Sequence, residues 1–300
     1  MPDRIATTVE GRRLALGNLG KVLWPATGFT KGEALHYYAQ VAPVLLPHLR
    51  RRPASFVRFP DGVDGERFYI KHPPPGLPPW APTAEVSGKE GPRRQVVVDD
   101  TATLMALANL GALEIHVPQW TADGGRGAHD LLVVDLDPGP GAGLPDCCRV
   151  ACLVRSALAA DGLECWVKTS GSKGLHLYAP IVPVPERRVS GYARSMARRL
   201  EADHPELVLH RMAKQLRPGK VFVDWSQNAS AKTTAAPYTL RARPAPTVST
   251  PVSWAEVEGC GGAEQLSFTP EQVLARVARD GDLFAPLTDR GRARELPDVG

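Results

Sequence analysis

The run from Leu131 to Leu136 carries apolar residues in both alternating positions and stops at Asp137-Pro138-Gly139, which predicts a strand buried on both faces and ended by a turn. Behind it, Val150, Leu153, Val154, Ala157 and Leu158 recur at helical spacing, predicting a helix over 146–160 that Gly162 ends. Two further strands, 164–169 and 175–181, flank Ser170-Gly171-Ser172-Lys173-Gly174. A second helix is expected over 186–202, opened by Pro185, with Val189, Tyr192, Ala193, Met196 and Leu200 on one stripe and Arg187, Arg194 and Arg198 on the other face. A strand over 220–225 closes the set. The order β-α-β-β-α-β is the split βαβ arrangement of ferredoxin-like and RNA-recognition-like sheets.

The N-terminal portion mixes shorter elements. Arg12 to Leu16 reads as a basic strand. Thr30-Lys31-Gly32-Glu33 is a capping box, and Leu35, Tyr38, Ala42 and Leu45 carry the helix it starts to an end near Pro47. Strands follow at 55–59, 67–72 and 96–98, with a Pro- and Gly-rich loop over 73–92. A short helix is expected over 101–110. Ala112 to Val117 then alternates, with Glu114 and His116 on one face and Leu113, Ile115 and Val117 on the other. Of Phe68 and Tyr69, strand alternation sends one inward and the other outward.

Composition narrows the class only a little. The chain has 300 residues, 43 % hydrophobic and 23 % charged, as soluble globular proteins do. Its net charge is +4, and 27 of the 36 positive residues are arginine, which permits a phosphate-bearing partner without requiring one. Five cysteines, an odd number with no Cys-x-x-Cys pair, argue against a zinc knuckle or a disulfide framework and suit a reducing compartment. No apolar run is long enough for a membrane span, and the N-terminus lacks a signal peptide's apolar core, so a cytoplasmic location is expected.

The chemistry concentrates at strand ends. Side chains at i and i+2 share a face, so Asp135 and Asp137 project the same way, roughly 7 Å apart at the backbone. Two carboxylates so placed repel unless a cation lies between them, and hard divalent ions such as Mg²⁺ or Mn²⁺ suit oxygen ligands. In the split βαβ topology Asp224, on the closing strand, can join them as a third carboxylate. Ser170 to Gly174 offers amides, two hydroxyls and one ammonium, which suits a polyphosphate nest, although a Gly/Ser hairpin is often only a turn; it is not a Walker A loop. Lys31 sits in a helix's first turn, where an anion binds well, with Lys21 as a candidate second contact, although on the residues alone two solvated lysines are the favoured reading. An aromatic of 68–69 flanked by Arg67 and Lys71 suits stacking on a base while its backbone is held, and a plain edge strand is an equal reading.

Five spaced stretches, Leu113-Glu-Ile-His116, Asp135-Leu-Asp137-Pro-Gly, Ser170-Gly-Ser-Lys-Gly-Leu-His176, Val221-Phe-Val-Asp224-Trp-Ser-Gln-Asn and Lys232-Thr-Thr-Ala-Ala-Pro-Tyr-Thr-Leu-Arg241, resemble the polymerase domain of bacterial DNA ligase D, of the archaeo-eukaryotic primase superfamily. The resemblance runs from Leu19-Gly-Lys21 to the tail. It implies an α+β primase fold with an RNA-recognition-like catalytic core and an N-terminal α/β portion. One polymerase domain over 1–300 is expected, with a DNA-end-binding part at 1–110, a catalytic core at 111–245 and a tail at 246–300.

By position, it implies that Asp135, Asp137 and Asp224 bind two catalytic Mn²⁺ or Mg²⁺ ions, with His116 lining the site. Ser170, Lys173, His176, Gln227 and Arg241 would hold the incoming NTP or dNTP. Lys21 and Lys31 would hold a 5′-phosphate across a gap, with Phe68, Tyr69, Lys71 and Arg217 as further DNA contacts. The implied activity is template-dependent nucleotide addition to a primer 3′-hydroxyl, with ribonucleotides preferred. It would fill gaps or extend double-strand-break ends in non-homologous end joining beside the Ku protein. The chain lacks the Lys-x-Asp-Gly motif of the ligase domain, so it resembles a free-standing polymerase or an excised domain, with a separate ligase acting in trans. Two rivals remain. One is a non-catalytic nucleic-acid-binding module on the same sheet. The other is an Asp-x-Asp phosphatase, disfavoured because Pro138-Gly139 follows where Thr or Val is expected two residues on.

Overall fold

The computed structural model describes residues 4–88 and 91–298, and these form two compact units. The first comprises the chain up to Pro118 together with Ala235–Val248 and Phe268–Gly281, and the second comprises Gln119–Thr234, Ser249–Ser267 and the segment from Asp282 onward. The units therefore do not follow the 1–110, 111–245 and 246–300 division read from sequence. The strand Ala112–Val117 and the segment bearing Arg241 belong with the N-terminal unit.

In that first unit the capping box forms as expected. The Thr30 hydroxyl accepts from the Glu33 amide (3.2 Å), and the Thr30 amide donates to the Glu33 carboxylate (2.7 Å). The helix spans Lys31–Leu49, ending near Pro47 as expected and passing through Pro43 and Pro47. Both prolines face solvent, where water can satisfy the carbonyls they leave without partners, while Leu45 and Leu49 beyond Pro43 are fully buried. Burial carries the helix past its breakers.

The same helix anchors the returning segment through two buried tyrosines. Tyr37 donates to the Tyr238 carbonyl (2.7 Å) and Tyr38 to the Leu113 carbonyl (2.5 Å), and the Leu240 amide donates to the Tyr38 hydroxyl (3.2 Å). Thr239 adds its hydroxyl as acceptor for the Ile115 amide (2.8 Å). Arg241 is thus laid beside the strand Ala112–Val117.

That strand pairs antiparallel with Ser55–Arg58, which pairs in turn with Phe68–Ile70 at the sheet edge. Phe68 and Tyr69 are both exposed, contrary to the inward–outward alternation expected, because an edge strand of three residues has too little covering it. The expected loop over 73–92 contains the first strand of a hairpin, Thr83–Val86 with Arg93–Val96, and Lys89 and Glu90 lie outside the described residues. A second hairpin, Arg4–Val9 with Arg12–Gly17, includes the basic strand expected there.

The second unit contains the β-α-β-β-α-β core. Its strands lie in the order Val208–Leu209, Val221–Asp224, Ala128–Pro138, Leu175–Pro185, Trp166–Thr169 and Pro251–Val252. All neighbours are antiparallel except the first pair, which is parallel. The four core strands thus take the split βαβ order, and helices Leu144–Ala160 and Glu186–Asp203 pack on them. The strand pair around Ser170–Gly174 differs at its outer ends from expectation, starting at Trp166 and running on to Pro185. Cys147, Cys148 and Cys165 are buried and all five thiols are free. Among the described residues no helix is long and apolar enough to cross a membrane.

Removing the Thr30 cap by Thr30→Ala should cost about 1 kcal/mol, read as a lower urea midpoint with unchanged slope. An unchanged midpoint would mean that packing alone sets this helix start.

Candidate active site

Strand register puts the acids together in the second unit. Asp135 lies directly opposite Asp224 across the antiparallel pair, and Asp137 lies opposite Phe222. Cross-strand partners share a sheet face, as do residues two apart on one strand, so all three carboxylates rise from the same face. Leu131 and Val133 share that face further along and pack with Tyr178 and Phe284.

The carboxylates strain against one another. Asp135 is buried, and desolvation followed by the charge of Asp224 raises its pKa from 3.8 to about 7. Asp137 is open to solvent as a side chain. Its carboxyl is nonetheless raised to about 7 by partial desolvation and by the charges of Asp135 and Asp224. With that exposure, the repulsion is the firmer of the two causes.

Neighbouring donors compensate this charge. Gln227 Nε2 donates to Asp135 Oδ2 (3.1 Å) and more weakly to Asp224 Oδ2 (3.4 Å). The Ser226 amide and hydroxyl both donate to Asp224 Oδ1, and Lys232 Nζ stands 3.6 Å from Asp224 Oδ2. His176, opposite Asp135 on the other neighbouring strand, brings Nε2 to 3.3 Å from Asp135 Oδ1. The short turn Trp225–Asn228 holds Gln227 here, because buried Asn228 binds the central strand as another strand would. Its Oδ1 accepts from the Val133 amide (3.0 Å) and its Nδ2 donates to the Val133 carbonyl (2.8 Å).

Two glycines permit the close backbone approaches around the acids. A Cβ at Gly174 would lie 2.0 Å from the Leu136 carbonyl oxygen, and one at Gly139 would lie 2.0 Å from that of Arg217. Gly139 also donates its amide to the Lys220 carbonyl (2.8 Å), seating the basic loop on the strand that ends in Asp137. Arg217 from this loop stacks on Phe222 (3.9 Å to the ring centroid), and its charge opposes the upward shift of Asp137.

The Ser170–Gly174 turn closes partly on itself. Ser170 Oγ accepts from the amides of Ser172 and Gly174 (3.2 Å each), so those amides are occupied within the turn. Its hydroxyl competes with any phosphate for these donors. Lys173 is exposed.

In the first unit, His116 and Arg241 meet around a carboxylate. Glu114 Oε2 lies 3.0 Å from His116 Nε2 and 3.3 Å from Arg241 Nε, and Glu114 Oε1 accepts from the Ala242 amide (2.9 Å). Burial alone would raise Glu114, but the hydrogen bond from His116 and the charge of Arg241 hold it at about 2. Tyr69 meets His116 edge-on at 6.4 Å, and Lys71 Nζ stands 5.8 Å from the Tyr69 ring centre. Lys31, in the first helical turn, is largely buried and donates to the Gly17 carbonyl (2.6 Å). Lys21 donates to the Pro60 carbonyl (2.7 Å) and to Asp61 (2.8 Å). Desolvation and then the nearby charge of Lys21 lower the pKa of Lys31.

The second unit thus brings together Asp135, Asp137, Asp224, His176 and Gln227 of the residues expected, and the first joins His116 with Arg241. Glu114 had been noted only as sharing a face with His116. Asn228 and Lys232 lay inside recognised motifs without a role, and Lys168 had no signal beyond being a polar residue in apolar surroundings.

Comparisons with known proteins identify the family. The family model described as the LigD primase-polymerase domain matches residues 30–284. The chain is 45 % identical over 303 residues to the multifunctional non-homologous end joining DNA repair protein LigD of Mycobacterium tuberculosis, covering 96 % of this chain and 40 % of that protein. It is 30 % identical over 274 residues to the bifunctional non-homologous end joining protein LigD of Bacillus subtilis, covering 91 % and 44 %. Among solved structures, the polymerase domain of Mycobacterium tuberculosis ligase D in complex with DNA superposes with a TM-score of 0.87 at 45 % identity, covering 92 % of this chain and 98 % of that one. The fold is that of the archaeo-eukaryotic primases, and the class is a primase-type nucleotidyltransferase. Within that class the chain belongs to the LigD primase-polymerase domain family. It spans less than half the length of the curated relatives it matches.

The raised carboxyls set a pH dependence. Between their ordinary value of 3.8 and the folded value of about 7, the folded protein holds more protons on Asp135 and Asp137 than the unfolded chain does. The stability they contribute is full at acid pH and is lost as pH rises through about 7. Urea midpoints measured in chelator should therefore fall over that window, and the fall should be shallower in the double variant Asp135→Asn/Asp137→Asn. An identical slope would count against the repulsion.

Proposed function

We propose that this chain extends a primer 3′-hydroxyl on a DNA template by nucleotidyl transfer at two divalent ions, filling gaps and processing broken ends in non-homologous end joining. The observation that carries the reading is the in-register pair of Asp135 and Asp224 with Asp137 on the same face. The donor set fits a hard divalent ion, because it is all carboxylate oxygen and its groups repel without one. Among the described residues no three or more His, Cys, Asp or Glu side chains are already gathered as a ligand shell; the hydrogen bonds from Gln227 and Ser226 and the charge of Lys232 compensate the acids instead.

Asp135, Asp137 and Asp224 would hold Mn²⁺ or Mg²⁺. Bound there, the ions would make the 3′-hydroxyl more acidic and neutralise the leaving pyrophosphate. The remaining tasks are position and charge. Ser170, Lys173, His176 and Gln227 offer hydroxyl, ammonium, imidazole and amide groups to an incoming nucleotide. Arg241 and His116, held by Glu114, present a guanidinium and an imidazole suited to phosphate oxygens. Lys21 and Lys31 form a pair of like charges that a 5′-phosphate would relieve. Exposed Phe68 and Tyr69 offer stacking faces beside Lys71, and Arg217 offers a phosphate contact. The relatives' names place them in end joining, and we extend that role to this chain. A ribonucleotide preference, Ku as a partner, a separate ligase and a cytoplasmic, nucleoid-associated location belong to the same proposal.

The test is primer extension on a gapped duplex with Mn²⁺, comparing NTPs with dNTPs, with and without a downstream 5′-phosphate. Asp224→Ala should abolish extension while duplex binding survives. Lys21→Gln with Lys31→Gln should remove the advantage of the 5′-phosphate. Extension by Asp224→Ala equal to wild type, or duplex binding by wild type without extension, would contradict the reading in favour of a binding module.

A further inference from the structure

Strand register builds a polar row straight across the sheet of the second unit. Asp224 faces Asp135, Asp135 faces His176, and His176 faces Lys168 on four successive strands. Cross-strand partners share a face, so two carboxylates, an imidazole and an ammonium stand side by side. Lys168 is fully buried, unusual for lysine unless its head group is hydrogen-bonded.

The donors of that row can be assigned. Lys168 Nζ lies 2.9 Å from His176 Nδ1 and 2.6 Å from Ser249 Oγ. The Ser249 hydroxyl donates to the Thr169 carbonyl (2.8 Å), so toward Lys168 its oxygen accepts. A lysine ammonium has donors only, so His176 Nδ1 must also accept and carries no proton. The proton of the neutral ring is then on Nε2, which points at Asp135 Oδ1, 3.3 Å away. Lys168 also sits 5.8 Å from the Tyr178 ring centre, and Tyr178 is held by a hydrogen bond with Thr234 (2.7 Å). The ammonium is thereby fixed from several sides.

We propose that Lys168 is a positioning residue for nucleotidyl transfer: its ammonium locks His176 as the Nε2–H form and aims that proton at Asp135 and at the phosphates of an incoming nucleotide. The proposal rests on the polymerase reading for its kinetic consequence, but not for the state of the ring. Lys168 acts through the imidazole, as the outer partner of a ligating histidine does.

The ring state is read directly. Long-range ¹H–¹⁵N correlation spectra of histidine-labelled, metal-free protein, with the signal assigned by His176→Gln, should show a bare Nδ1 and a protonated Nε2. Lys168→Met removes the donor and should lose that signature, whereas Lys168→Gln keeps an amide donor and should retain it. On the gapped primer, Lys168→Met should lower kcat/KM for the nucleotide by about tenfold to a hundredfold, with Lys168→Gln recovering most of the loss. A proton on Nδ1 in wild type overturns the proposal, as does a Met variant unchanged in both spectrum and kinetics. If Lys168→Met does not fold, the wild-type spectrum and the Gln variant still decide. A wild type with the stated ring form but no primer extension would overturn the polymerase reading and uphold the assignment of the ring.

Discussion

Two carboxylates face each other in register on a largely buried sheet, and much of the second unit answers that repulsion. A strand pair that only needed stability would not set Asp135 opposite Asp224, since like charges there are destabilising. The surroundings soften the conflict without removing it. Gln227 and Ser226 donate to the acids, Lys168 and Lys232 add positive charge, and Asp135 is still pushed to about 7. Groups held away from their ordinary ionisation at such cost point to a site kept for chemistry.

The architecture serves that one row of charges. The split βαβ order puts the first and last core strands side by side, which brings two distant aspartates together. Asn228 extends the central strand's hydrogen bonding past the end of its partner, and so seats the turn that carries Gln227. Glycines at 139 and 174 let neighbouring backbone approach where any side chain would collide. In the first unit the buried tyrosines of the long helix do comparable work, fixing the segment that bears Arg241 next to Glu114 and His116.

Much of this was legible before any coordinates. Periodicity located the core helices and strands, and the i, i+2 rule put Asp135 and Asp137 on one face. Topology then suggested Asp224 as the third acid. The rest was hidden for physical reasons. Local propensity does not show how the helix tolerates Pro43 and Pro47, because that rests on the burial of Leu45 and Leu49. For Ser170–Gly174 the residues left a phosphate nest and a plain turn both open, because sequence does not show the Ser170 hydroxyl turned inward onto two of the turn's own amides. Alternation misjudged Phe68 and Tyr69 because it assumes a covered strand, and this one lies at an edge. Lys168 was invisible as part of the site because its meaning depends wholly on register with His176.

Direct binding of Mn²⁺ to the DNA-free protein, followed by electron paramagnetic resonance at neutral pH, tests the central claim without relying on turnover. The like-charged row predicts saturable binding by wild type that Asp135→Asn and Asp224→Asn each weaken strongly, with both variants folded. Binding that is absent from wild type, or that survives both substitutions unchanged, would contradict a cation site at these carboxylates.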